Sequence, residues 1–149
     1  MSYGLGFYRF LDGEPAEPDM DVVRAVLSPC DAAPEKAAEG DTEFWIRAAD
    51  GSEAEVFVFD SGIGVERPQT GDVWKIIIEL ADRLGAGILI PDGTLLCRED
   101  MRGHLPEGLV NDAVFVPEIT LEVFERVAGP FSPLLTSKAT GLHNGHHWV

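Results

Sequence analysis

The side chains that could do chemistry fall into a few groups, and each group offers too little for a known reaction. The final residues carry His143, His146 and His147 in the run HNGHH, a spacing at which imidazoles can ligate zinc or nickel. A metal centre also needs a third or fourth ligand held by a scaffold, and Gly145 sits inside the run. The tail is therefore expected to hold no native metal. His104 follows Glu99 and Asp100, an order that allows a general base with an orienting carboxylate. No nucleophile or pocket signature accompanies it, so a surface histidine is the expectation.

Asp12, Glu14, Glu17, Asp19 and Asp21 superficially suggest a calcium loop. Pro15 and Pro18 interrupt them, and the alternating ligand spacing with a central glycine and a terminal glutamate is missing. Cys30 and Cys97 stand far apart without metal-ligand spacing and read as free, partly buried thiols. Glycine pairs at Gly4/Gly6, Gly62/Gly64 and Gly85/Gly87 never extend to a dinucleotide-binding or P-loop pattern, and read as turn punctuation. Ser61, in DSG, lacks the surroundings of a nucleophile elbow. No cofactor is implied, and the absence of catalytic motifs leans against an enzyme.

A different chemistry is suggested by Glu53, Glu55 and Asp60 around a central hairpin. If Val56 and Val58 point inward, Glu53 and Glu55 share the other face and make an acidic stripe of period two. The chain carries 26 acidic residues against 11 Lys plus Arg, a formal net charge of −15. Such a surface repels nucleic acid and anionic membrane and accelerates encounter with a basic protein. Acidity that only maintains solubility is the competing explanation. With Trp45 and Phe57 as aromatic anchors, the set Glu53, Glu55, Asp60, Trp45 and Phe57 is the candidate partner-binding surface.

The elements that would position these residues are written in the hydrophobic pattern. Thr70 to Leu84 is the strongest: Val73, Trp74, Ile76, Ile77, Ile78, Leu80, Ala81 and Leu84 share one arc, with Asp72, Lys75, Glu79, Asp82 and Arg83 opposite. This predicts a helix with Thr70 as N-cap, Gly85 at the left-handed C-terminal position and a Glu79–Arg83 pair. The arc is broad enough to need a second covering surface besides a sheet. The strand AGILIP follows, and Asp92-Gly93 turns it into TLLCR as a second hairpin.

Upstream, residues 3–11 predict a central strand ended by Asp12-Gly13. A short helix opens at Pro18 or Asp19 and closes by Ser28, ahead of Pro29. Residues 31–41 form a polar, alanine-rich loop. TEFWIRA and EAEVFVFD alternate on either side of Asp50-Gly51, the pattern of a hairpin. Gly62, Gly64 and Pro68 are assigned to the crossover into the long helix. Beyond Arg98 come a helical turn and loop halted by Pro106, a short strand at 113–116, a helix in EITLEVFERVAGP and an irregular segment at 129–149.

The order strand, helix, strand, strand, helix, strand predicts an α+β fold, a ferredoxin-like split βαβ sandwich: an antiparallel sheet with two helices on one face, extended by a C-terminal hairpin and helix. At 149 residues with 45% hydrophobic content, one domain spanning 1–149 is expected. Without an n-region and h-region, or a long apolar run, the expectation is a soluble cytoplasmic protein. The leading functional expectation is a non-enzymatic acidic protein-binding domain, with an immunity or inhibitor-type protein that neutralises a basic partner as its most concrete form. The alternatives are a small-ligand binder or enzyme with a cleft near His104 and the C-terminal segment, and an oligomeric structural protein built on the sheet.

Overall fold

The computed structural model describes residues 4–32, 43–91 and 93–129. Among these, eight strands form one open sheet. They are β1 (Gly4–Leu11), β2 (Glu14–Ala16), β3 (Glu43–Arg47), β4 (Glu53–Phe59), β5 (Gly62–Glu66), β6 (Gly87–Leu89), β7 (Leu95–Arg98) and β8 (Ala113–Val116). The helices are α1 (Met20–Leu27), α2 (Val73–Leu84), α3 (Glu107–Val110) and α4 (Leu121–Ala128). The sheet runs β3-β4-β5-β1-β6-β7-β8, with β2 paired to β1 off this path. Strand β1 is therefore central, as its apolar run predicts.

The chain is α+β, but its order departs from the split βαβ expectation at Gly62–Glu66. That stretch is a strand, β5, lying between β4 and β1 and antiparallel to both. The first helix is thus followed by a three-stranded meander, and β1 has antiparallel neighbours on both sides. Ile63 and Val65 are buried while Gly62, Gly64 and Glu66 alternate with them. The period of two is present, but glycines occupy its outward positions and disguise it as a loop. Among the described residues parallel pairing enters only at the far edge, between β7 and β8.

The core lies between the sheet and the helices. Leu5, Phe7, Phe44, Ile46, Val56, Ile63, Val65 and Ile88 point to one face, where Val23 and Leu27 of α1 and the apolar arc of α2 meet them. The breadth of that arc is explained by two neighbours. Helix α1 packs along α2, and α4 places Phe124 against Trp74 with ring centroids 5.3 Å apart. A smaller cluster of Leu95, Cys97 and Leu105, with Phe10 and Phe115, covers the opposite face at the β7 end.

Helix ends follow capping chemistry, with one displacement. Asp19 accepts from the amides of Asp21 and Val22 to open α1, and Thr120 accepts from Val123 to open α4. Gly85 closes α2 at φ +69°. Thr70 does not cap α2: the helix begins after Asp72, and its first amides are met by the β3–β4 turn, where Asp72 donates to Asp50 Oδ2 and Val73 to Ser52 Oγ, each at 2.9 Å. Among the described residues no helix is long and apolar enough to cross a membrane. The expected irregular segment, apart from Gly129, and most of the polar loop lie outside the described residues.

Candidate functional site

The alternation of a strand sends every second residue away from the helices, and the register across five strands maps what stands there. Across the sheet, Trp45 faces Glu55, Glu55 faces Glu66, and Glu66 faces Gly4. The next row is Glu43, Phe57, Gly64, Gly6 and Leu89. The row after that joins Phe59 to Gly62. Four of the five residues singled out for partner binding, Trp45, Glu53, Glu55 and Phe57, thus share one face of the first hairpin. Asp60 lies apart from them, exposed in the turn that follows β4.

This quadrant is uncovered by any described helix. Trp45 is 40% exposed and Phe59 59%, values that mark a bare aromatic surface rather than a core. Beside them runs a trough of about 380 Å³ over Gly4, Gly6, Gly62 and Gly64, walled by Tyr8, Phe59, Ser61 and Glu66. The Tyr8 ring lies over Gly6 and Gly62, and a Cβ on either would come within 3 Å of it. Gly64 is open, its nearest potential contact being Phe59 at 3.7 Å. The glycine pairs at 4/6 and 62/64 are therefore a sheet floor and not turns. Glycine inside a strand weakens it and commonly marks a place where a ligand or another backbone comes close.

A second cavity, of about 220 Å³, adjoins the trough and is lined by Glu43, Phe44, Trp45, Glu55 and Phe57. Its geometry is set by hydrogen bonds. Trp45 donates from Nε1 to Glu53 Oε1 at 3.0 Å, and Arg47 donates from Nε to Glu53 Oε2 at 2.6 Å. These two donors, Arg47 first, lower the Glu53 pKa below the ordinary carboxylate value. Glu53 thereby fixes the indole. Glu55 is held more loosely: Arg67 approaches its two oxygens at 3.4 and 3.5 Å, from an exposed side chain.

The other candidates resolve into structural roles. His104 accepts at Nδ1 from the Asp12 amide at 3.1 Å, and its carbonyl accepts from Gly13 at 2.8 Å, so it fastens the turn after β1. Glu99 and Asp100 do not orient it. Glu99 pairs with Arg102, and Asp100 with Arg98, which keeps the Asp100 pKa low. Arg98 also donates to the Asp82 carbonyl near the C-terminal end of α2.

The acidic run from Asp12 to Asp21 is divided among a turn, β2 and the start of α1, where Asp19 caps and Asp21 pairs with Arg24. Among the described residues no three or more His, Cys, Asp or Glu side chains converge to hold a metal ion. Both cysteines are free thiols, Cys97 buried and Cys30 partly so. His143, His146 and His147 lie outside the described residues. Compared with known proteins, the chain matches no family model, no curated sequence and no solved structure.

Proposed function

We propose that this protein is a non-enzymatic binding module whose bare sheet face, centred on Trp45, Glu55, Phe57 and the Gly64 trough, docks a basic protein partner. The observation that supports this reading is the composition of the face itself. Aromatic side chains, a glycine floor and the carboxylates of Glu43, Glu55 and Glu66 share one quadrant of the sheet that no described helix covers. Aromatic anchors supply buried area on docking, while a net charge of −15 steers a cationic partner toward the protein. An inhibitor or immunity-type protein that neutralises a basic toxin or nuclease is the most concrete form of such a module. Within this reading Glu53 positions Trp45, and Glu55 meets the partner.

Capture from host lysate at low and high salt tests the reading when wild type is compared with a Trp45→Ala/Glu55→Gln double variant. A basic protein retained stoichiometrically by wild type, released by salt and lost from the variant is the expected outcome. Equal retention by the variant would remove this face from the binding site.

A further inference from the structure

The two-by-two register of β3 and β4 carries a more specific reading, which rests on the docking function above. Glu43 stands opposite Phe57, and Trp45 opposite Glu55. Carboxylates therefore occupy one diagonal of the square and aromatic rings the other. Diagonal neighbours on antiparallel strands are separated by about 7–8 Å, within reach of long side chains. The cavity of about 220 Å³ lies over this square. We infer that the square of Glu43, Trp45, Glu55 and Phe57 is a socket for one guanidinium group, the arginine side chain of a basic partner.

Each part of the arrangement suits that group. A guanidinium is planar, with donors around its rim and a face that stacks on aromatic rings. Carboxylates on one diagonal can accept from opposite sides of its rim, while rings on the other diagonal offer it their negative faces. An ammonium group has no such plane and fits the two diagonals less well. The indole is already fixed by its bond to Glu53, so ordering it costs little on binding.

A second observation points to a cation independently of the cavity. Glu55 lies directly opposite Glu66 on β5, a like-charged cross-strand pair that destabilises the sheet. The fold partly offsets this with a guanidinium of its own: Arg67, at φ +51°, extends to Glu55 at 3.4 Å. That contact is long and exposed, and an incoming arginine competes with it. The resident arginine thus already offers Glu55 the chemical group inferred for the socket.

The full-length protein can be titrated with N-acetyl-arginine amide while the Trp45 indole N–H resonance is followed by NMR. The citrulline and lysine analogues serve as controls. Saturable shifts with the arginine compound, none with citrulline and weaker ones with lysine are expected. Glu55→Gln is expected to weaken binding about tenfold, the scale of one charge-assisted hydrogen bond. Trp45→Leu, followed instead through the backbone amide resonances of Glu55 and Phe57, is expected to weaken it about threefold as the cation–π contact is lost. Arg67→Gln removes the competitor and is expected to tighten binding, an opposite sign that mere disturbance of the fold would not produce. Equal response to arginine and citrulline, or binding unchanged in Glu55→Gln, would overturn the socket. A basic protein captured by this face without arginine-amide binding would likewise overturn the socket but leave the docking function standing. Arginine-amide binding with no basic protein captured would support the socket and count against the docking function.

Discussion

The Asp50 carboxylate receives the Asp72 amide at 2.9 Å, so a hairpin turn caps a helix whose N-cap residue lies twenty-two residues later. Its other oxygen accepts from Ser52 Oγ at 2.6 Å and from the Ser52 amide at 3.0 Å. These bonds, the Ser52 hydroxyl first, draw the Asp50 pKa from 3.8 down to about 2. A carboxyl group whose pKa falls on folding stabilises the native state above its unfolded pKa. That contribution is complete above pH 3.8 and fades as pH drops toward 2. Wild type is therefore expected to exceed Asp50→Ala in stability at neutral pH, with the gap closing over that interval. Urea denaturation at a series of pH values measures it, and a gap independent of pH would contradict the assignment.

Ser52 is buried, and its hydroxyl accepts from the Val73 amide at 2.9 Å. Removing it leaves a buried helix N–H without its acceptor. Ser52→Ala is expected to cost about 1–3 kcal/mol in chemical denaturation. Gly71, at φ +145°, lies against the same cap, where a Cβ would come within 2.6 Å of Asp50 Oδ2 and Ser52 Oγ. Gly71→Ala should therefore also destabilise, through backbone strain and displacement of the cap. A neutral result for both variants would show that the turn does not hold the helix.

This cap separates what local sequence reveals from what only the folded chain supplies. The apolar arc of α2 and the turn glycine after it are legible because period and capping act within a few residues. The true N-cap is not, since its donors and acceptors meet only after the hairpin has packed on the helix. Strand β5 was hidden for another reason: Ile63 and Val65 alternate correctly, but the intervening glycines resemble a loop. On the candidate face, alternation in EAEVFVF places Glu53, Glu55 and Phe57 together, and the hairpin turn adds Trp45. The glycine trough required the pairing of β1 with β5, a contact between segments more than fifty residues apart. The pattern of glycines at 4, 6, 62 and 64 was its one local trace.

Phe124 is fully buried against Trp74, which is itself fully buried at the start of α2. The stack fastens α4 to the covered face of the sheet. Phe124→Ala is expected to cost about 3–5 kcal/mol, the range for deleting a buried aromatic ring. Near-ultraviolet circular dichroism should change with it as the indole loses its stacked neighbour. A loss below about 1 kcal/mol would mean that α4 is only peripherally attached.

The thiols should differ in reactivity. Burial raises the Cys97 pKa to about 11, and a Cβ on neighbouring Gly87 would lie 2.8 Å from its sulfur. Burial also raises the Cys30 pKa, but that residue remains partly accessible. Thiolate is the reactive form, so a thiol reagent at pH 8 is expected to modify Cys30 first and Cys97 only on unfolding. Mass spectrometry of the time course resolves the order, and early labelling of Cys97 would show that the β7 cluster opens readily.

Gly64 offers a separation of stability from binding. Its potential Cβ meets only Phe59, at an ordinary 3.7 Å, whereas one on Gly62 would strike the Phe7 carbonyl at 2.6 Å. Valine suits a strand and removes the conformational freedom that glycine brings to the unfolded chain. Gly64→Val is therefore expected to preserve stability or raise it by about 0.5–1 kcal/mol. Its side chain would also project into the trough and block a partner laid across the sheet. Gly62→Ala, by contrast, is expected to lower stability through backbone collision. If the trough serves docking, Gly64→Val should melt no lower than wild type yet lose the salt-sensitive capture of a basic partner. Retained capture by a stable Gly64→Val protein would show that the glycine floor is not part of the contact surface.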